Sequence, residues 1–398
     1  MKLRKEILLV FVLSMSMVLF AACSNNKDNN PTGAQENPTT DNEAGETTGQ
    51  GEGEGLKIVV VTSPSGVDDG SFNEDNYNGV LKFIENNPDT TVNTVKEPTG
   101  DPAAAVQAVA DVVAEYDVIV VPGFQFAGVS SIAVENPDKK FILIDEQPQE
   151  QDGQTEFDNI YSMTFAEEES GFFAGMAAAL ETKTNKVAVV NGIAFPSNVN
   201  YQFGFESGVN YVNAKYDKDV EIVELASYAG TDVNGTNVNG NYVGDFADEA
   251  TGKVIGNALI DAGCDIIFVA AGGSGNGVFT AAKEASSDVK VIGCDVDQFD
   301  DGVTGDGNIV LTSALKNMSI NVERALNAIK DGSFKGEHVL LKADTDSTGF
   351  VSTQGSHQLS EDTVTKINEA YNLVKDGTIV PAANFNEISP DSFPGLPE

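Results

Sequence analysis

From residue 56 onward, short unbroken apolar runs alternate with longer stretches whose apolar residues recur every three or four positions. The runs at 57–61, 118–121, 141–145, 186–190, 265–270 and 290–293 predict strands, with further β-rich segments at 92–95 and 220–225 and a short extended piece at 310–311. The helical pattern predicts helices over 76–86, 102–115, 129–136, 167–181, 200–215, 248–262 and 277–285, and another ending near 330. Continuous apolar strands between helices are the mark of parallel sheets covered on both faces. Roughly ten strands suit two sheets better than one. The predicted class is therefore α/β, with two doubly wound parallel sheets. Ligands of such folds sit beyond the carboxyl ends of the strands. The loops to watch are 62–73, 122–128, 191–200, 271–277 and 295–300.

The first residues follow a different logic. Lys2, Arg4 and Lys5 precede an apolar stretch from Ile7 to Phe20 that ends in Ala21-Ala22-Cys23. This is the layout of an export signal, and too short for a confident membrane span. Small residues before a cysteine resemble a bacterial lipobox, with Phe20 where Leu is usual. Residues 1–22 are then a lipoprotein signal peptide and Cys23 the lipidated new N-terminus. The alternative is a secretory peptide cleaved after Ala22. Residues 23–55 are polar and acidic, with too little apolar surface to order themselves. They predict a flexible tether with an end-to-end distance of about 30 Å. The body is expected on the extracytoplasmic face of the cell membrane, lipid-anchored.

The whole chain has 398 residues, with 61 Asp+Glu against 23 Lys+Arg, a formal net charge of −38. A nucleic-acid partner needs clustered basic residues and is excluded. The two histidines, His338 and His357, cannot make a His-rich zinc site. Cys264 opens one predicted strand and Cys294 closes its neighbour, so their thiols should lie about 15–20 Å apart. Two buried free thiols are expected rather than a disulfide.

Several loops carry candidate chemistry. Asp69, Phe72 and Asn73 lie in a polar loop after the first strand, where a lone Phe needs something to cover it. Asp69 or Ser71 could equally be helix caps. Gly272 and Gly273 lie between a strand and a helix, where backbone can approach a ligand. No Gly-Lys-Ser/Thr follows, so this is no Walker loop; a tight packing turn is the plainer reading. Asp295 ends a strand, and a strand-end carboxylate can take two vicinal hydroxyls. Lys316 nearby would hold it ionised, although such a pair can be a surface salt bridge of little worth. Asp344 to Gly349 imitates half of a calcium loop, but Gly355 stands where a bidentate Glu is needed. The acidic 232–248 stretch is expected to be a surface insertion. No hydrolase or glycosidase pattern emerges.

Six blocks in order resemble the basic membrane protein family, the substrate-binding lipoproteins of ABC importers of the purine nucleoside receptor A type. They are Gly66–Asn73, Glu168–Met176, Tyr201–Gly208, Ala271–Val278, Gly293–Gln298 and Thr312–Lys316. The resemblance implies a type I periplasmic-binding fold with a three-strand hinge: lobe one over 56–165, lobe two over 166–308, a return to lobe one over 309–343, and a second return plus tail over 344–398. It implies a monomer that binds a nucleoside by hinge closure and docks on a membrane permease, with no cofactor and no chemistry on the ligand. Phe72 and Tyr201 would stack on the base, and Asp295 and Lys316 would hold the ribose. Asn73 and the Gly272–Gly273 backbone would add polar contacts. Gly128 stands where the family's base-reading Asp would be, so Gln125 is the substitute reader. A sugar, a signalling furanose or a sensor role are the competing expectations.

Overall fold

The computed structural model describes residues 55–398 except Asp306 and Phe385. The leader, Cys23 and the tether up to residue 54 lie outside the described residues. In chain order the sheet strands are β1 (Lys57–Thr62), β2 (Thr91–Lys96), β3 (Val118–Pro122), β4 (Lys140–Ile144), β5 (Ile160–Phe165), β6 (Lys186–Asn191), β7 (Glu221–Ile222), β8 (Ile266–Ala270), β9 (Lys290–Asp295), β10 (Val310–Lys316), β11 (His338–Leu341) and β12 (Thr348–Phe350). The helices are α1 (Phe72–Glu85), α2 (Pro102–Val112), α3 (Ser130–Glu135), α4 (Glu167–Glu181), α5 (Pro196–Tyr216), α6 (Glu249–Asp261), α7 (Gly275–Glu284), α8 (Met318–Asp331) and α9 (Glu361–Lys375).

One sheet has the order β11-β5-β4-β3-β1-β2 and is parallel throughout. The other has the order β12-β10-β9-β8-β6-β7 and is parallel except for the antiparallel edge strand β12. The pleat divides each apolar run between two cores. Ile58 and Val60 join Phe83 of α1 and Val322 of α8 on one face, while Val59 and Val61 join Val109 of α2 on the other. In the second sheet, Val187 and Phe268 pack under α4, α5 and α9, and Ala188 and Ile267 under α6 and α7. This is the two-lobed periplasmic-binding architecture.

The chain crosses between lobes three times: after β5, after β10, and between β11 and β12. The expected return at residue 309 falls after Lys316 instead. β10 is a full strand paired with β9, and its polar middle is buried because Thr312 Oγ1 donates to the Val351 carbonyl (2.7 Å) and Ser313 Oγ accepts from the Gln298 amide (3.1 Å). Two helices begin four residues earlier than the pattern suggested. Asp69 caps α1 so that it starts at Phe72, and Pro196 at the first turn starts α5. The expected strand 220–225 shrinks to Glu221–Ile222, because the Asn241 amide takes over, accepting from the Leu225 amide (2.8 Å) and donating to the Val223 carbonyl (3.1 Å). Cys264 and Cys294 are free and buried, at opposite ends of paired strands β8 and β9.

Candidate functional site

The loops after β1, β3 and β4 in lobe one face those after β6, β8, β9 and β10 in lobe two. Asp69 organises the first loop. Its carboxylate accepts from the backbone amides of Ser71 (3.1 Å), Asn73 (3.0 Å) and Glu74 (3.1 Å) and from Asn73 Nδ2 (2.8 Å). Burial raises its pKa against the pull of those donors. Asp69 therefore shapes the loop with every lone-pair direction engaged. Its neighbour Phe72 reaches the cleft from the first turn of α1. Asn73 keeps a buried Oδ1 with no partner.

Across the cleft, Asp295 is held from both lobes. Tyr201 donates from its hydroxyl to Oδ1 (2.8 Å), and Ser71 Oγ donates to Oδ2 (2.9 Å). The Tyr201 ring stands edge-on to Phe268 in the core at 5.6 Å. Burial and the Asp295 charge raise its pKa well above that of an ordinary tyrosine, so the hydroxyl remains a donor. This differs from the expected stacking role: Tyr201 orients the carboxylate from below.

Lys316 is fully buried and bound to Asp145 and to Glu167 Oε1 (2.8 Å). Its ammonium lies 5.1 Å from the ring centres of both Phe72 and Phe165, in cation–π range. Burial would depress its pKa, but Asp145, Glu167 and Asp295 outweigh that and raise it. Burial in turn pushes Asp145 up to about 7, against the Lys316 charge.

The aromatic lining is richer than the sequence suggested. Phe124 and Phe195, one from each lobe, lie face to face with ring centres 4.9 Å apart and an interplanar angle of 28°. Phe246 stands 6.0 Å from Phe195. The 232–248 stretch is thus no mere surface insertion. Tyr242 and Val243 extend β6, and Phe246 reaches the cleft, where its carbonyl accepts from Ser65 Oγ (2.9 Å).

Asp69, Phe72, Asn73, Gln125, Tyr201, Gly272, Asp295 and Lys316 all border one cavity between the lobes. Gly273 stands just behind Gly272, where a Cβ would come within 3.0 Å of the Phe246 carbonyl oxygen. Gln125 faces the cavity, whereas a side chain at Gly128 would meet Val106 and Gln149. Sequence reasoning missed Asp145, Glu167, Phe124, Phe195 and Phe246. Asp145 and Phe195 had a signal, since Asp145 closes a predicted strand and Phe195 lies in the loop that follows another.

A family described as ABC transporter substrate-binding protein, PnrA-like, matches residues 56–231 and 226–383. The chain belongs to this family. A protein of Listeria monocytogenes named CD4+ T-cell-stimulating antigen is 30% identical over 81% of this chain and 87% of its own. The Lactococcus lactis ABC transporter nucleoside-binding protein BmpA is 29% identical over 71% of this chain and 77% of its own. Basic membrane protein A of Borreliella burgdorferi is 31% identical over 68% and 71%. Among solved structures, a solute-binding protein of an ABC transporter system from Aeropyrum pernix superposes with a TM-score of 0.69 at 22% identity, covering 83% of this chain and 94% of its own. Membership of this PnrA-like family makes the chain an extracytoplasmic substrate-binding protein, with a small-molecule ligand and a membrane permease as partner.

Proposed function

We propose that this protein is a lipid-anchored receptor that binds a purine nucleoside between its lobes for import. The observation that carries this reading is that one cavity is lined both by phenylalanine rings and by a carboxylate–ammonium cluster. Phe124, Phe195 and Phe246 offer faces for a flat base. Asp295 and Lys316 offer a carboxylate and an ammonium to vicinal hydroxyls. Gln125 supplies a neutral amide for the base edge, and Asn73 Oδ1 an unused acceptor. The name of the Lactococcus relative agrees with it.

The mechanism is hinge closure. Ser71 with Asp295, Ser65 with Phe246, and Gln298 Nε2 with the Gly70 carbonyl (3.1 Å) join the lobes directly. With Phe124 resting on Phe195, the cavity is only about 70 Å³, well below the roughly 300–1,000 Å³ of a filled pocket. A base entering between those rings must part them to roughly double their spacing, which opens the hinge. The ligand then rejoins the lobes through contacts made only in the closed state.

The test is calorimetric titration of the full chain, in detergent and stripped of carried-over ligand, with nucleosides, ribose and free bases. Purine nucleosides should bind, and more tightly than ribose or base alone. Phe124→Ala and Asp295→Ala should each weaken binding by about tenfold or more. No heat with any nucleoside, but heat with a sugar, would move the reading to a carbohydrate.

A further inference from the structure

Of the carboxylates bordering the cavity, Asp69 and Asp295 have both oxygens engaged. Asp145 does not. Its side chain is only 7% exposed, its Oδ2 is bound to Lys316, and its Oδ1 is buried with no partner. An acceptor left so is costly unless something supplies a donor.

Asp145 and Asp295 also share a backbone feature. Asp145 follows β4 with φ of 66°, and Asp295 ends β9 with φ of 68°. One comes from each lobe, both are in the left-handed region, and both are at a strand's carboxyl end.

Charge completes the case. Lys316 is already answered by Asp145 and Glu167, and Asp295 adds a third carboxylate within its field. The cluster is net negative in a poorly solvated place, where an added anion is strongly repelled.

We infer that Asp145 is a ligand-binding residue whose free oxygen accepts one hydroxyl of the bound molecule, and whose charge, with that of Glu167 and Asp295, excludes phosphorylated ligands. This rests on the nucleoside reading. The transported species is then the nucleoside, and the phosphate of any nucleotide must be removed before capture.

The full chain, Asp145→Asn and Glu167→Gln are titrated with the tightest-binding nucleoside, its 2′-, 3′- and 5′-deoxy analogues and its 5′-monophosphate. Wild type should prefer the nucleoside over the monophosphate by about a hundredfold or more. Asp145→Asn should weaken the nucleoside by about tenfold and one deoxy analogue hardly at all, while the preference over the monophosphate narrows. Glu167→Gln removes the same charge, but both Glu167 oxygens already have partners, Lys316 (2.8 Å) and Asn200 Nδ2 (2.9 Å). It should narrow the preference without singling out a hydroxyl. Equal loss across all analogues in Asp145→Asn, or monophosphate binding as tight as nucleoside by wild type, overturns the inference.

If Asp145→Asn does not fold, the wild type decides. The charged groups facing Asp145 are Lys316 from β10, Glu167 from α4 and Asp295 from β9. The penalty for losing the accepted hydroxyl should shrink as Asp145 protonates below about neutral pH; a constant penalty overturns the inference. A wild type that binds no nucleoside at all sinks the proposed function itself.

Discussion

Tyr201 shows how far single residues could be read. Its place at the cleft was legible from its motif, but its job was not. A tyrosine presents a flat face and a hydroxyl, and only the tertiary structure decides which one is used. Here the ring packs at a steep angle against Phe268 and the hydroxyl reaches Asp295. Tyr201→Phe separates the two roles. It keeps the ring and removes one hydrogen bond to a charged group, worth about 1.5–3 kcal/mol. Ligand affinity should fall roughly tenfold, and the melting temperature should fall as well, because the same bond holds the buried Asp295 carboxylate in the native fold. Calorimetry that finds Tyr201→Phe binding as tightly as wild type would restore the stacking role. Asp145 and Phe246 were hidden for another reason. Asp145 closes a predicted strand and Phe246 lies in a polar Gly- and Asn-rich stretch, and it is the meeting of two lobes, far apart in sequence, that gives each side chain a use.

At the scale of elements, the apolar runs were enough to find nearly all of the central strands, because a strand buried on both faces has little room for polar residues. The missed elements include the interior strand β5 and the helix α9, besides edge and polar strands. β11 reads His-Val-Leu-Leu with three of its four residues not buried, and β10 carries Thr312 and Ser313 inside. The face of small residues on α4, Gly171, Ala174, Gly175 and Ala178, has a sharp consequence. α4 and α5 touch backbone to backbone: a Cβ on Gly175 would lie 2.1 Å from the Phe205 carbonyl oxygen, and one on Gly208 would lie 2.2 Å from that of Phe172. α5 carries Tyr201, and α4 carries Glu167 and Glu169. Glu169 accepts from the Ala343 amide (2.8 Å) and from Thr348 Oγ1 (2.6 Å), tying the third crossover to the helix that begins after the first. The packing of this pair thus sets both the hinge and the orientation of Asp295. Gly175→Ala forces the helices apart and should cost about 1–3 kcal/mol, seen as a lower midpoint in urea, together with weaker ligand binding. A variant with unchanged midpoint would show that the pair has slack the close approach denies.

For the molecule as a whole, acidity is the dominant fact, and it couples to stability through buried carboxyls. Burial pushes Glu168 up to about 8 and Glu206 up to about 8, and Asp145 up to about 7. In the unfolded chain such groups ionise near pH 4. Between that value and about pH 8 the unfolded state therefore holds fewer protons than the native state, so stability falls as pH rises. The net charge of −38 acts in the same direction, since self-repulsion grows as carboxyls ionise. His338 opposes them: burial lowers its pKa, so it favours folding as pH rises through the imidazole range. It is one partly buried group against several buried carboxyls, Asp69, Asp75 and Glu169 among them. Carboxyls held low, such as Asp288 beside Lys183, are ionised in both states above about pH 4 and contribute no slope there. Lys316, with its pKa raised, stays charged throughout the same window. The melting temperature should accordingly be several degrees higher near pH 5.5 than near pH 8.5. Glu168→Gln and Glu206→Gln, which cannot ionise, should each narrow that gap. Scanning calorimetry at the two pH values decides: a melting temperature that rises toward pH 8.5 would mean these carboxyls are ionised and compensated inside the native fold.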